Sequence, residues 1–134
     1  MKFTANYKCL KNIINFIKNE VKKISVNQEF IFDIELAAEE IIINIIKHNA
    51  DLKTALSLEI TCEKHPDNYL TLKIIDNGKA FNPFKKENPD INLSVKERKI
   101  GGLGLFLTKN LVDNLDYKYE SNLNINILQK KLPL

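Results

Sequence analysis

The chain has 134 residues, 20 of them Lys or Arg and 17 Asp or Glu. That length allows one domain with a real core and not two, so residues 1–134 are expected to form a single domain. An apolar share of 44% is ordinary for a soluble globular chain, and a net charge of +3 is too small to indicate a nucleic-acid partner.

The two cysteines, Cys9 and Cys62, lie far apart at no metal-ligand spacing and sit among apolar neighbours, so both are expected to be buried free thiols. His48 and His65 have no Cys or His partner at zinc spacing. Met1 to Ala5 carries no apolar signal stretch, and no apolar run approaches the ~18 residues of a membrane span. A cytoplasmic protein without a membrane partner is the expectation.

In chain order, residues 2–5 read as a short edge strand. Lys8 to Ile24 places Leu10, Ile13, Ile14, Ile17, Val21 and Ile24 at helical spacing, with lysines and asparagines opposite. Asn27 is the N-cap candidate for a second helix running to about Asn49. Ile34, Leu36, Ala38, Ile41, Ile42, Ile43, Ile45 and Ile46 make that helix apolar around most of its circumference, so it should be largely buried. Glu40, Asn44, Lys47 and His48 nevertheless fall on one narrow stripe of it. Two readings stay open at this point. The stripe is the solvent face of an amphipathic helix, or it gathers a carboxylate, an amide, an ammonium and an imidazole for chemistry.

Leu56 to Cys62 and Tyr69 to Ile75 alternate as strands, joined by a polar loop in which His65 is an exposed turn residue. The second strand leads into Asp76-Asn77-Gly78-Lys79-Ala80. Phe81 to Lys99 follows, 19 residues with Pro83 and Pro89 and no periodicity, read as a lid over a pocket or as a plain connector. Gly101, Gly102 and Gly104, three of the chain's four glycines, then open a third helix from Gly104 to Asn114. A glycine turn entering a helix presents unpaired N–H groups to an anion. Leu115 to Glu120 and Leu123 to Gln129 close the chain as a hairpin around Ser121-Asn122. The Asp76 loop and the glycine loop look like two walls of a nucleotide pocket, though each alone is also an ordinary turn.

Three blocks now stand in order: Glu40-Ile41-Ile42-Ile43-Asn44-Ile45-Ile46-Lys47-His48, Asp76-Asn77-Gly78-Lys79-Ala80 and Gly101-Gly102-Leu103-Gly104-Leu105. Together they resemble the GHKL ATPase superfamily, and within it the bacterial anti-sigma factor serine kinases (RsbW-like), over nearly the whole chain from about residue 30 to 132. The resemblance implies a Bergerat-type ATP-binding fold: an α/β (α+β) two-layer sandwich with a mixed, mostly antiparallel sheet and helices on one face. It implies ATP and Mg²⁺ as cofactors. Asn44 would hold the Mg²⁺, Asp76 would accept the adenine amino group, and Gly78 and Ala80 would let the base approach the backbone. Gly101, Gly102, Leu103, Gly104 and Leu105 would hold the phosphates, with Arg98 helping to neutralise them. Lys47 would pair with phosphate, and His48 would contact it or serve the structure. Glu40 would be the general base.

The activity implied is a partner-switching serine/threonine protein kinase. It would phosphorylate an anti-sigma antagonist (an anti-anti-sigma protein) and hold a sigma factor, or another regulator, in an alternative complex; a homodimer is compatible with this. The alternative from another class is a non-catalytic, ATP-gated protein-binding module. Glu40 favours the kinase. A structural protein without nucleotide would require all three blocks to be coincidental. One departure stands out: many relatives carry a threonine on the last strand, whereas Leu123 to Leu128 contains none. Asn126 is the polar substitute there, although Ile127 aligns more nearly.

Overall fold

A computed structural model describes residues 1–52, 54–82 and 108–133. The elements are β1 (Lys2–Thr4), α1 (Tyr7–Lys22), α2 (Gln28–His48), β2 (Ser57–Lys64), β3 (Tyr69–Asp76), β4 (Asn114–Glu120) and β5 (Leu123–Lys131). The segment expected to form the lid is described only at Phe81 and Asn82. The rest of it lies outside the described residues, as does the glycine loop with Arg98, Gly101, Gly102, Leu103, Gly104 and Leu105.

Each helix starts where a side chain satisfies an orphan backbone donor. Asn6 Oδ1 accepts from the Cys9 N–H at 2.8 Å, and Asn27 Oδ1 accepts from the Phe30 N–H at 2.8 Å. The Asn27 cap was legible in the sequence; the Asn6 cap was not, and it starts α1 at Tyr7, one residue before Lys8. Ile13, Ile14, Ile17 and Val21 of α1 are buried. Leu10 and Ile24 are half-buried at its edge. Burying one such aliphatic side chain contributes ~1.5–3 kcal/mol.

The five strands run in the order β1-β2-β3-β5-β4, and each pairing is antiparallel. The parallel component allowed for by a mixed sheet does not occur among the described strands. Leu58 and Ile60 of β2, Leu70, Leu72 and Ile74 of β3, and Leu128 of β5 share one face and are buried. They meet Ile34, Ala37, Ala38, Ile41 and Ile42 of α2 in one core. Both helices therefore pack on a single face of the sheet, which makes the two-layer sandwich.

The closing hairpin turns on two residues, Ser121 at φ 55° and Asn122 at φ 63°. Two consecutive left-handed residues give a loop whose twist matches the strands, and asparagine tolerates that conformation better than most residues. The hairpin is not a separate appendage. β5 inserts between β3 and β4, with Asp76 opposite Asn124 and Leu72 opposite Leu128.

Three expectations need correction. The third helix does not reach Asn114: residues 108–111 are helical, then the chain bends and β4 begins at Asn114. Lys130 Nζ donates to the Leu111 carbonyl at that helix end and also pairs with Asp33 of α2 at 3.5 Å, so the chain has a stopping point there. Cys9 and Cys62 are free but only half-buried. Leu36 is 40% exposed and Ile43 is half-buried, so α2 is less enclosed than its composition implied.

Replacing Asn27 by Ala should cost about 1 kcal/mol by leaving the Phe30 N–H without its acceptor. Urea denaturation should show a lower midpoint with an unchanged slope.

Candidate functional site

The site grows from the end of β3. Asp76 is the last residue of that strand and 2% exposed. Its Oδ1 accepts from the Gly78 N–H at 2.8 Å and from Asn124 Nδ2 at 3.0 Å. Both bonds fall on Oδ1, so Oδ2 is the oxygen left to accept from a ligand. Burial pushes the Asp76 carboxyl above its ordinary value, against the lowering pull of the Gly78 N–H and the Asn124 amide.

Asn124 is the residue that sequence reasoning missed. Its Nδ2 also faces the carbonyl oxygens of Gly78 at 3.2 Å and Lys79 at 2.9 Å. Its Oδ1 accepts from the Phe81 N–H at 3.1 Å and from the Tyr117 hydroxyl. One primary amide therefore binds the strand end and the loop leaving it. The register of β5 on β3 places Asn124, and not Asn126 or Ile127, opposite Asp76. Asn126 is 1% exposed on the same sheet face, and its Oδ1 has no hydrogen-bond partner among the described residues. Only an asparagine repeat on one face of the last strand hinted at this pair.

Asn49 braces the loop from the other side. It caps the C-terminus of α2, donates from Nδ2 to the Ile45 carbonyl at 2.8 Å and accepts the Lys79 N–H at 2.9 Å. A Cβ on Gly78 would lie 2.5 Å from both Asn49 Nδ2 and Oδ1. The Asn49 side chain is buried and bonded at both ends, so it has little freedom to yield. The requirement for glycine at 78 thus comes from this protein's own packing. Asn77 bonds to the Ser57 N–H at 2.8 Å and the Ala55 carbonyl at 3.2 Å, tying the loop to the start of β2. Ala80 is exposed beyond these anchors.

The polar stripe of α2 is real but uneven. Asn44 is 6% exposed, Glu40 and His48 are half-buried, and Lys47 faces solvent. Asn44 Nδ2 donates to the Glu40 carbonyl at 2.8 Å and to Glu40 Oε1 at 3.3 Å. With the amide nitrogen committed, Asn44 Oδ1 is the atom free to meet a cation. His48 stacks on Phe81 with ring centroids 4.0 Å apart and 22° between planes. That contact joins the end of α2 to the chain leaving the Asp76 loop. The solvent-face reading therefore holds for Lys47 and fails for Asn44.

Among the described residues no group of three or more His, Cys, Asp or Glu could hold a metal. An amide oxygen such as Asn44 Oδ1 suits a hard cation that takes its remaining ligands from phosphate and water, as Mg²⁺ does. Among the described residues no helix is long and apolar enough to cross a membrane.

A two-layer α/β sandwich with a buried carboxylate at a strand end, its loop braced against the end of a helix that carries a polar stripe, is the class this structure defines. The chain belongs to the histidine kinase-like ATPase domain family, whose match runs over residues 3–130. It is 30% identical over 102 residues to a serine-protein kinase RsbW from Listeria innocua, a match covering 72% of this chain and 64% of that protein. The serine-protein kinase RsbW of Listeria monocytogenes matches at the same identity and coverage. The chain thus spans less than two thirds of these relatives' length.

Among solved structures, the RsbU and RsbW domains of Rv1364c from Mycobacterium tuberculosis share the fold, with a TM-score of 0.67 at 14% identity over 98% of this chain and 32% of that one. The histidine kinase domain of the Erythrobacter litoralis EL346 blue-light activated histidine kinase does so with a TM-score of 0.58 at 14% identity, over 92% of this chain and 61% of that one.

The buried carboxylate yields a pH prediction. An acid whose pKa is raised by folding binds its proton more tightly in the folded state, so folding loses stability as pH rises from 3.8 through the raised value. Asp76→Asn removes that loss. Thermal melts from pH 3.5 to 7 should show the variant gaining on wild type as pH rises. A second variant, Gly78→Ala, should lose ~1–3 kcal/mol by overpacking against Asn49, and Asn49→Ala should relieve part of that loss in a double-mutant cycle.

Proposed function

We propose that this chain is an ATP-binding serine/threonine protein kinase of the partner-switching type, with residues 1–134 forming one kinase domain. In this reading its acceptor is an anti-sigma antagonist, and a sigma factor is the partner held in the alternative complex. The observation that carries the proposal is the Glu40–Asn44 pair. Asn44 turns its nitrogen onto Glu40 and so presents its oxygen, while the Glu40 carboxylate stays half-exposed beside it. The family match and the resemblance to RsbW kinases support the same reading.

ATP with Mg²⁺ would supply the transferable phosphoryl group and the charge neutralisation that this chemistry requires. Asp76 Oδ2 would accept a hydrogen bond from the 6-amino group of adenine, with Oδ1 already fixed by Gly78 and Asn124. The backbone at Gly78 and Ala80 would border the base. Asn44 Oδ1 would ligate the Mg²⁺. Lys47, at the exposed end of the stripe, would reach phosphate as a mobile cation, and His48 would act through its stack on Phe81. Arg98, Gly101, Gly102, Leu103, Gly104 and Leu105 lie outside the described residues; the proposal assigns them to the phosphates. Glu40 would take the proton from the acceptor hydroxyl as its oxygen bonds to phosphorus and the bond to the ADP leaving group breaks.

General bases contribute ~10²–10⁴ in rate. Glu40→Gln should bind Mg·ATP almost normally and transfer phosphate to a purified antagonist at least ~100-fold more slowly. Asn44→Ala should weaken Mg·ATP binding itself. Calorimetry for binding and radiolabelled ATP for transfer separate the two. Wild-type protein that binds ATP and an antagonist but never phosphorylates it would instead make the chain an ATP-gated binding module.

A further inference from the structure

The helix that carries Glu40 also carries two large apolar side chains that stay exposed among the described residues. Phe32 is 59% exposed and Leu36 is 40% exposed, although both sit mid-helix in a protein with a full core close by. They precede Glu40 at intervals of four residues, so the three side chains follow one another along one side of α2. Large exposed apolar side chains arranged contiguously mark an interaction surface more often than isolated ones do.

Charge gives the stripe a direction. Glu29, Glu35, Glu39 and Glu40 all lie on this helix, and none of them forms an ion pair among the described residues. The fifth acid, Asp33, is already paired with Lys130. Four carboxylates on one helix without an ion pair among the described residues, in a chain with net charge +3, are a local reversal of sign. Beside Glu35 and Glu39 a shallow groove between the helices is lined by Tyr7, Leu10, Lys11, Ile14 and Asn15 of α1. The surface thus combines an aromatic and aliphatic stripe with an acidic border, and it ends at Glu40.

We propose that the Phe32–Leu36 stripe of α2 is the docking face for the acceptor protein, and that it binds an apolar segment of that protein flanked by Lys or Arg. The proposal rests on the kinase reading of Glu40, because it places the hydroxyl to be phosphorylated at the Glu40 end of the stripe. Eight residues of helix separate Phe32 from Glu40, or ~12 Å at 1.5 Å per residue. An extended partner segment covers that distance in about four residues. The apolar anchor therefore sits about four residues from the accepting Ser or Thr if that segment is extended. The border carboxylates supply steering and register, and the buried apolar anchor supplies most of the affinity.

The test uses the full chain, Mg·ATP and the acceptor protein of the transfer assay above. Phe32→Asp and Leu36→Asp should each weaken acceptor binding at least ~10-fold by calorimetry, equivalent to ~1.4 kcal/mol. ATP affinity should stay at the wild-type value. In the transfer assay the loss should fall on KM for the acceptor, with kcat within ~3-fold of wild type, the opposite split from Glu40→Gln. Phe32→Leu should restore most of the affinity, and Glu35→Lys with Glu39→Lys should reduce both the affinity and its salt dependence.

Unchanged acceptor affinity in Phe32→Asp and Leu36→Asp overturns the docking face. So does wild-type self-association that these variants abolish while acceptor affinity is retained, since the stripe would then belong to a second copy of the chain. The kinase reading is judged separately, by transfer: acceptor affinity that depends on Phe32 without any phosphoryl transfer keeps the docking face and removes the kinase.

Discussion

The site depends on one primary amide. Asn124 stands on β5, 48 residues along the chain from Asp76, and makes contact with Asp76, with the Gly78 and Lys79 carbonyls, with the Phe81 N–H and with the Tyr117 hydroxyl. A buried carboxylate is costly unless donors surround it, and here two donors converge on a single oxygen. The second oxygen keeps its capacity to accept. A carboxylate held in this way has its orientation fixed before any ligand arrives. Burial pushes its pKa up, and the amide and the Gly78 N–H work against that push.

α2 serves two demands that conflict in a single helix. Ile34, Ala37, Ala38, Ile41 and Ile42 must seal the core against the sheet. Asn44 and Asn49 must be brought inside with them, at 6% exposure each, and polar groups at that depth need partners. The helix meets this by turning both amides back onto its own backbone. Asn44 donates to the Glu40 carbonyl and Asn49 to the Ile45 carbonyl, each at 2.8 Å. Each amide keeps its oxygen for another task. Asn49 uses it to hold the Lys79 N–H, and Asn44 keeps it at the buried turn beside Glu40. The same local device thus gives a structural brace at one turn and a candidate metal ligand at another.

The surface of the helix reflects the same economy of form. Positions that face neither core nor pocket would ordinarily carry polar side chains, yet Phe32 and Leu36 are there. Packing among the described residues leaves both exposed. Beside them stand carboxylates that form no ion pair among the described residues.

Most of the elements were legible in the chain itself. Helical spacing at Ile13, Ile17 and Val21, the Asn27 cap, the alternation in β2 and β3 and the Ser121-Asn122 turn are all short-range signals, and each led to an element within a few residues of its observed bounds. They are set by interactions between residues only a few positions apart, so a linear reading captures them. The polar stripe on α2 and the Asp76 loop were visible for the same reason. The end of the third helix was not legible, because the Lys130 contact at Leu111 comes from the far end of the chain. Nor was the partner of Asp76 legible. Which asparagine of β5 meets Asp76 is a matter of strand register between segments almost 50 residues apart, and shifting that register by one residue would turn Asn124 to the opposite face. Exposure of Leu36 and the clash that demands glycine at 78 likewise depend on what lies across the fold. Periodicity and turn chemistry laid down the parts; the register of β5 against β3 decided which of their side chains would meet.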